Sequence, residues 1–348
     1  MKELKRYDPL CGLFALVGRH DKGQKECGLW WSGSGVRMRT ACTAVEVEAE
    51  SSARDHAQWL GVMIDGEAVA RFPLREGRHR YLALSGMEDT VPHEIAILRD
   101  TQPSYDEDGP VYLHAVYTDG DVQKPEQKKL LVEFLGDSLT VGEGTLGPRS
   151  AQEWRMMWIS HMPAFPTLVC SLLNADKRVV ALGGWGAYKS WDGHHESRIG
   201  AIYEKLCAVT PGGEKDYDFD ERGADAVVIN LGTNDGSAIG KEAPENREAE
   251  ARRLTQDAVE LLKTVRRHQP NAFLFWAYGL CGVDMTPFLK AAVEQYRAET
   301  GDQRAAYLPL PDANGDVGSR LHPSRDAHRR AAAVIAEAIR RAVEEDRV

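Results

Sequence analysis

The sequence has no long hydrophobic run and no excess of positive charge. No stretch approaches about 18 consecutive apolar residues, which a membrane-spanning helix requires. Lysine and arginine number 43 against 53 aspartate and glutamate residues, giving a formal net charge of −10. An acidic chain is a poor match for nucleic acid or an anionic membrane surface. We therefore expect neither nucleic acid nor membrane as a partner.

Cysteine is scarce, and its spacing is irregular. Only six of the 348 residues are cysteine, and no two form a C-x-x-C pair. We expect reduced, mostly buried thiols, and neither a zinc site nor a disulfide framework. His194 and His195 stand beside Asp192 and Glu196, but adjacent residues rarely converge on one ion, so we predict no metal site. Residues 11–17 form only a brief apolar run without a convincing cleavage site, so the predicted location is cytoplasmic, with secretion as the alternative.

Short strands and turns dominate residues 1–125. Residues 45–50 alternate apolar and charged side chains, as a strand with one solvated face does. Residues 59–64 run into Asp65-Gly66, a strong hairpin signal, and a further strand follows. Other predicted strands lie at residues 36–39, 80–84, 93–98 and 111–116. This region is predicted to be an antiparallel β-sandwich of seven to nine strands.

A polar, proline-containing stretch at residues 123–129 marks a change of pattern. Beyond it, apolar strands alternate with amphipathic helices, the clearest at residues 248–268, with others at 287–300 and 324–346. Such alternation predicts a doubly wound parallel sheet between two helix layers over residues 126–348.

Ser138 stands at the end of the first strand of this second region. Residues 131–135 are nearly continuously apolar, and Gly136 permits a sharp turn into Gly-Asp-Ser-Leu. Open α/β sheets bind ligands at the carboxyl ends of their strands, and helix N–H groups there favour negative charge. This placement makes Ser138 a candidate nucleophile.

Three later blocks resemble those of the SGNH (GDSL-type) hydrolases. A glycine-rich loop follows the second strand, Gly-Thr-Asn-Asp follows the third, and a histidine precedes proline near the carboxyl end. Ser138, Gly186, Asn234 and His322 occupy the block positions. A serine hydroxyl needs an imidazole to take its proton, and the oxyanion needs preorganised donors. The resemblance implies Ser138 as nucleophile, His322 as base, and oxyanion donors at the N–H groups of Ser138 and Gly186 and the amide of Asn234.

Two overlapping motifs do not fit their structural contexts. Gly142, Gly144 and Gly147 match G-x-G-x-x-G, but they do not open directly off a strand, and no second strand ending in an acid follows. Thr140 stands where the G-x-S-x-G elbow requires its second glycine. Neither a dinucleotide site nor an α/β-hydrolase elbow is predicted.

The chain as a whole resembles carbohydrate esterase family 2 over about residues 30–340. Besides the blocks, the resemblance rests on GDSLTVGEG, CSLLNADKRVVALGGWGAYKS and WLGVMIDGEAVARFPL. Members pair an N-terminal jelly-roll sandwich with an SGNH domain and remove acetyl groups from sugars and plant polysaccharides, often at a 6-hydroxyl. The resemblance implies hydrolysis of an acetylated oligo- or polysaccharide through an acetyl-serine intermediate, without a cofactor.

One departure from the family pattern concerns the acid that orients the histidine. Most SGNH enzymes carry aspartate three residues before it, and many family members carry one two residues before it. Ser319 and Arg320 stand at these positions here. Asp316 is one candidate replacement. The favoured alternative is a Ser-His dyad, in which a backbone carbonyl orients the imidazole, as some members are understood to use.

An aromatic cluster follows the second block. Trp185, Tyr188 and Trp191 are candidate substrate-binding residues, with Trp185 the first choice for stacking on a sugar. Packing beneath the sheet edge is an equally weighted alternative. For Trp30 and Trp31, packing in the core is favoured over a sugar-binding surface.

Two other functions compete with deacetylation. A non-catalytic carbohydrate-binding protein on an SGNH scaffold is disfavoured by the intact serine, asparagine and histidine. A GDSL-type lipid or aryl esterase is disfavoured because no amphipathic lid is visible. The sequence does not indicate an oligomeric state.

Overall fold

The computed structural model describes residues 3–88, 90–104, 110–219 and 222–345. The chain divides into two compact units. The first comprises Met1–Lys128, Trp154–Met162 and Lys205–Asp218, and the second comprises Lys129–Glu153, Pro163–Glu204 and Phe219–Val348. The sequence placed a division at residue 125 and did not predict that two later segments join the first unit.

The first unit contains two antiparallel sheets. Its strands, over the described residues, are β1 (Lys5–Tyr7), β2 (Ala15–Val17), β3 (Cys27–Leu29), β4 (Gly35–Thr40), β5 (Ala44–Ser51), β6 (Trp59–Ile64), β7 (Glu67–Pro73), β8 (Gly77–Ser85), β9 (His93–Arg99) and β10 (Val111–Thr118). One sheet has the order β1-β10-β5-β8 with β3 also paired to β10, and the other has the order β2-β4-β9-β6-β7. Buried side chains from both sheets, including Val47 and Val62, share one apolar core. The predicted sandwich is confirmed.

Side-chain alternation explains the longer strands of the sandwich. In β5, Val45, Val47 and Ala49 are buried, and the glutamates that alternate with them are only half-buried. Asp65 and Gly66 both have positive φ, 49° and 88°, which suits the two-residue turn joining β6 to β7. The predicted count of seven to nine strands was too low. The unpredicted β1, β2 and β3 have three residues each, too few to show a period of two.

Over the described residues, the second unit contains a parallel sheet of five strands. These are β11 (Leu130–Gly136), β12 (Ala175–Ala181), β13 (Ala226–Asn230), β14 (Phe273–Tyr278) and β15 (Ala305–Pro309), in the order β12-β11-β13-β14-β15. Every residue of β13 is buried, as expected for a strand covered on both faces. Sequence analysis did not predict β15, an edge strand that is mostly only half-buried.

The helices of the second unit, over the described residues, are α1 (Ser138–Val141), α2 (Phe165–Leu173), α3 (Ile199–Ile202), α4 (Thr233–Ile239), α5 (Pro244–His268), α6 (Thr286–Thr300) and α7 (Arg325–Glu345), with a 3-10 turn at Ser319–Leu321. Another 3-10 turn, Met156–Trp158, lies in the first unit. Helix α2 packs with α7, and α5 packs with α6. The predicted doubly wound fold is confirmed. None of the described helices is long and apolar enough to cross a membrane.

The chain reverses its direction across the sheet at β11. It passes from β11 to β12 on one side and then returns to β13 on the other. At such a switch point, the loops that leave neighbouring strands diverge and open a crevice at their carboxyl ends. Ser138 follows β11 directly and therefore lies at this crevice.

Candidate active site

Ser138 begins α1 immediately after β11. A Cβ on Gly136 would lie 1.8 Å from Thr140 Oγ1, so the turn into the helix requires glycine. Asp137 caps α1 by accepting the Leu139 N–H at 3.0 Å. Ser138 is 5% exposed. Its N–H has no acceptor among the described residues, as first-turn amides of a helix often do not.

The imidazole of His322 lies between a hydroxyl and a carbonyl group. Its Nε2 is 2.9 Å from Ser138 Oγ. Its Nδ1 is 3.0 Å from the carbonyl oxygen of Arg320. Because a carbonyl oxygen only accepts, Nδ1 carries the proton, and Nε2 presents its lone pair to Ser138. This tautomer is the one that can take the serine proton.

The carbonyl of Arg320 reaches His322 through an unusual backbone conformation. The φ angles are +52° at Arg320 and +58° at Leu321. This left-handed region costs a non-glycine residue roughly 1–2 kcal/mol. The Arg320 N–H donates to the Ala151 carbonyl at 2.8 Å, and the His322 N–H donates to the Ser319 carbonyl at 3.2 Å. Such strain is found where surrounding contacts over-determine the backbone, often at functional sites.

Asp316 does not contact His322. Its carboxylate accepts the Ser324 hydroxyl at 2.5 Å and the Arg330 guanidinium at 3.0 Å. The pKa of Asp316 is lowered, most by the hydrogen bond from Ser324 and next by the one from Arg330. The candidate acid of the sequence analysis is thus engaged elsewhere, while a backbone carbonyl occupies the corresponding face of the imidazole.

Two residues that the sequence analysis did not assign to the site join it from separate segments. Glu143 lies shortly after α1, and its Oε2 is 3.8 Å from His322 Nε2. Its other oxygen accepts the guanidinium of Arg320. The Glu143 side chain is 6% exposed. Only the fold brings Glu143, close to the serine in sequence, against Arg320 and His322.

Asn234 lies in the first turn of α4, after β13. Its Nδ2 donates to the Trp185 carbonyl at 2.8 Å and to Asp137 Oδ2 at 3.1 Å. Asn234 therefore joins the loop after β12 to the residue that precedes Ser138. The structure brings Ser138, His322 and Asn234 to the same end of the parallel sheet, as the block order indicated.

The N–H of Gly186, predicted as an oxyanion donor, has an acceptor in this structure. It donates to the Ser197 carbonyl at 3.4 Å, and the Gly186 carbonyl accepts the Ile199 N–H at 3.0 Å. Gly184, in contrast, has φ +85° in the turn closed by Trp185, and its N–H has no acceptor among the described residues. A type II turn points this central N–H outward.

A buried carboxylate shapes the loop that carries Gly186. Asp235 accepts the N–H groups of Ala187, Tyr188 and Lys189 at 3.0, 2.8 and 2.9 Å. A Cβ on Gly186 would lie 2.6 Å from Asp235 Oδ1. Gly186 thus permits close packing on Asp235, and the Asn-Asp pair of the third block positions the second block.

The three predicted aromatic residues differ in exposure. Tyr188 is buried, and its hydroxyl donates to Glu250 at 3.0 Å. Trp185 is half-buried. Trp191 is 53% exposed. Its ring lies over Gly184, where an added Cβ would be 3.0 Å from Trp191 Cδ1. Trp191, not Trp185, is therefore the accessible aromatic face beside the site.

The remaining sequence expectations concern metals and the core. Among the described residues, no group of three or more histidine, cysteine, aspartate or glutamate side chains is placed to hold a metal ion. His194 is exposed and lies near Asp192 and Glu196 at 3.8 and 3.3 Å. Trp30 and Trp31 are buried in the first unit, as expected.

Both parts of the chain match the sequence profiles of known protein families. Residues 134–347 match the profile of the GDSL-like lipase/acylhydrolase family, and residues 16–123 match that of the carbohydrate esterase 2 N-terminal domain. The first match covers more than half of the chain. The chain therefore belongs to the GDSL-like lipase/acylhydrolase family, the class that its fold and serine–histidine pair define.

Individual relatives extend over both domains. A cellulase/esterase of Acetivibrio thermocellus is 24% identical over 307 residues, 86% of this chain and 35% of that protein. An acetylxylan esterase/glucomannan deacetylase of Cellvibrio japonicus is 23% identical over 312 residues, 87% of this chain and 82% of that protein. The structure of an acetyl xylan esterase from Butyrivibrio proteoclasticus superposes with a TM-score of 0.93 at 25% identity, covering 98% of this chain and 99% of that one.

These matches confirm the resemblance to carbohydrate esterase family 2. The chain spans only about a third of the length of the Acetivibrio relative. What these relatives act on enters below as a proposal for this chain.

Proposed function

We propose that the chain hydrolyses acetyl esters of carbohydrates, with Ser138 as nucleophile and His322 as general base. The main structural support is that the His322 ring makes two contacts. Its Nε2 is 2.9 Å from Ser138 Oγ, and its Nδ1 is 3.0 Å from the Arg320 carbonyl oxygen. Family membership and the relatives named as acetylxylan esterases support the acetyl specificity.

The reaction proceeds in two steps. His322 takes the Ser138 proton as Oγ bonds to the acetyl carbonyl carbon, and the resulting oxyanion then collapses. The imidazolium gives its proton to the departing sugar oxygen, which leaves acetyl-Ser138 and a free hydroxyl. A water molecule, deprotonated by the same ring, attacks the acetyl carbonyl carbon, and the Oγ–C bond then breaks to release acetate while the imidazolium returns its proton to Ser138 Oγ. We expect no cofactor in either step.

The oxyanion needs donors aimed at the crevice beside Ser138. We propose the Ser138 N–H, which has no acceptor among the described residues, and the Asn234 amide, which would exchange one of its bonds to Trp185 and Asp137 for a bond to the oxyanion. For the third donor, the Gly184 N–H is better supported than the Gly186 N–H, because Gly186 donates to Ser197. Loss of one such donor typically costs about 100- to 1000-fold in rate, which is the loss expected for Asn234→Ala.

A Ser-His dyad accounts for the absence of an aspartate beside the histidine. The Arg320 carbonyl holds the imidazole in the required tautomer through its 3.0 Å contact with Nδ1. A neutral carbonyl stabilises the developing imidazolium less than a carboxylate does, so the dyad requires a rigid loop or another negative group nearby.

The proposed substrate is an acetylated oligo- or polysaccharide. Trp191 offers an exposed aromatic face beside the Gly184 turn, and the apolar face of a sugar ring stacks on such a surface. Lys241 lies over one face of this ring, with its Nζ 4.4 Å from the ring centre and 2.8 Å from the Trp191 carbonyl, so a sugar would stack on the other face. Acetylated xylan and glucomannan are the polymers to test, with the primary 6-hydroxyl ester of a hexose as one position.

One assay series separates the candidate functions. Hydrolysis of 4-nitrophenyl acetate is compared with that of longer acyl esters, with Ser138→Ala as the control. Rapid acetate turnover that disappears in Ser138→Ala is the expected result. A preference for long acyl chains would indicate a lipid esterase, and no turnover in the wild type would indicate a binding protein. Acetate release from acetylated xylan, glucomannan and small acetylated sugars then identifies the substrate.

A further inference from the structure

We propose that Arg320 and Glu143 form a positioning pair that replaces the missing acid of the catalytic triad. This inference rests on the proposed roles of Ser138 and His322 and deepens them. Each partner contacts the histidine in its own way, Arg320 through its backbone carbonyl and Glu143 through the proximity of its carboxylate.

The pair joins the two segments that carry the reacting groups. Glu143 belongs to the loop that follows α1, and its N–H donates to the Ser138 carbonyl at 2.9 Å. Arg320 stands two residues before His322, and its guanidinium donates to the Glu143 carboxylate. One ion pair therefore links the serine segment to the histidine loop, although the two are far apart in sequence.

The backbones of these segments also approach very closely. A Cβ on Gly144 would lie 2.4 Å from His322 Cβ, and a Cβ on Gly318 would lie 1.8 Å from the Gly144 carbonyl oxygen. The Ser319 hydroxyl donates to the Leu146 carbonyl at 3.0 Å. The Arg320–Glu143 ion pair thus adds a side-chain contact between two segments whose backbones are already closely packed.

The pair explains how a strained carbonyl stays aimed at the imidazole. Arg320 and Leu321 both have left-handed φ angles, which non-glycine residues rarely adopt. The backbone hydrogen bonds of the loop and the bond from the Ser319 hydroxyl to the Leu146 carbonyl also hold this conformation. The ion pair adds a side-chain contact at Arg320 itself, which restricts the rotation of its backbone.

Glu143 supplies the negative charge that a neutral carbonyl lacks. Its Oε2 is 3.8 Å from His322 Nε2, too far for a hydrogen bond but close enough to stabilise an imidazolium. Arg320 holds the opposite oxygen, so the carboxylate does not move in to displace Ser138 from Nε2. The usual work of one aspartate is divided in this way between the Arg320 carbonyl and the Glu143 carboxylate.

The test separates the guanidinium of Arg320 from its backbone. Arg320→Gln and Glu143→Gln remove the ion pair, Arg320→Lys keeps the positive charge, and Arg320→Gly keeps an easily adopted left-handed carbonyl without the side chain. Arg329→Gln is the matched control, because Arg329 forms an exposed ion pair with Asp326 within one helix. For each variant, kcat and KM with 4-nitrophenyl acetate, the melting temperature and the rate of Ser138 labelling by a fluorophosphonate are measured.

We expect Arg320→Gln, Glu143→Gln and Arg320→Gly to lower kcat by up to about 100-fold with KM little changed, because the imidazole is misplaced and substrate binding is not. Arg320→Lys should recover most of the loss, and Arg329→Gln should match the wild type. The Arg320→Gln/Glu143→Gln double variant should lose no more than the worse single variant, because the two residues act as a unit.

Wild-type kcat in Arg320→Gln or in Arg320→Gly would overturn the inference, as would a folded Arg320→Lys variant without recovery. Fluorophosphonate labelling keeps this test distinct from that of the proposed function. A wild type that is labelled at Ser138 but does not hydrolyse acetyl esters would overturn the acetylesterase assignment, while the labelling rates of the variants would still decide the positioning role.

Discussion

The side-chain amide of Asn234 donates to the buried carboxyl group of Asp137 at 3.1 Å. The same carboxyl group also accepts the Leu139 N–H and so caps α1, the helix that begins with Ser138. Burial, with the nearby carboxylates of Asp235 and Glu143, raises the pKa of Asp137 from 3.8 to about 7. The aspartate of the Gly-Asp-Ser-Leu segment therefore titrates near neutral pH.

This raised pKa predicts a stability that falls as pH rises. Between pH 3.8 and about 7 the folded state binds the Asp137 proton more tightly than the unfolded state does, so deprotonation costs folding free energy. Asp137→Asn removes this cost. We expect the variant to gain stability relative to the wild type as pH rises from 4 to 8, by at most roughly 4 kcal/mol.

Urea unfolding of both proteins at several pH values measures this gain. Asp326→Asn, at an exposed carboxylate, is the control. A difference between Asp137→Asn and the wild type that stays constant with pH would contradict the prediction.

The dyad predicts unequal effects for two residues near the carboxyl end. His322→Ala removes the group that contacts Ser138 and should abolish ester hydrolysis. Asp316→Asn should leave most activity intact, because Asp316 bonds Ser324 and Arg330 and not the imidazole. Steady-state kinetics with 4-nitrophenyl acetate compare the two variants, and losses of similar size in both would refute the dyad.

Gly144 should tolerate no side chain. It has φ +82°, and an added Cβ would lie 2.4 Å from His322 Cβ. We expect Gly144→Ala to displace the histidine and lower kcat by about 100-fold. Gly315→Ala is the control, because Gly315 has a similar φ of +77° but no atom within 4 Å of the added Cβ. An equal loss in both variants would show that backbone strain, and not the contact with His322, decides the outcome, and wild-type activity in Gly144→Ala would contradict the prediction.

Trp191 should affect sugar binding and not acetyl transfer. Trp191→Ala removes the exposed ring beside Gly184, and we expect KM for an acetylated oligosaccharide to rise by roughly 3- to 10-fold, the range that aromatic contacts supply. Trp191→Phe should retain most of the affinity, and turnover of 4-nitrophenyl acetate should change little in both. Equal losses on both substrates would place Trp191 in the fold rather than in the binding site.

A fragment of residues 126–348 should not fold by itself. Within the first unit, buried Asp100 accepts the Ser160 hydroxyl at 2.8 Å and the Met162 N–H at 3.0 Å. Trp31 donates to the Leu206 carbonyl at 2.7 Å. The fragment retains Trp154–Met162 and Lys205–Asp218, which belong to the first unit, but lacks Asp100 and Trp31, which bond them. We therefore expect no cooperative thermal transition. A sharp transition with esterase activity would instead support a catalytic domain that begins at residue 126.

The sequence was informative about the site where a functional residue follows a strand directly. Ser138 and Asn234 come just after β11 and β13, and the carboxyl ends of neighbouring parallel strands necessarily lie together. Gly186 was less predictable. Gly184 and Gly186 both lie in one glycine-rich loop, and only the hydrogen bonds of the folded loop distinguish an outward N–H from one that donates to Ser197.

Sequence patterns alone determined the two architectures and the order of the blocks, because strand and helix periodicities are local properties of the chain. The tertiary structure decided which group orients His322 and which neighbours it has. Glu143 contacts Arg320 only because the loop after α1 packs against the loop that carries His322. The contact of the Arg320 carbonyl with His322 Nδ1 depends on the conformation of that second loop. No local sequence pattern predicts how two loops so far apart in sequence pack, because their packing follows from the whole sheet.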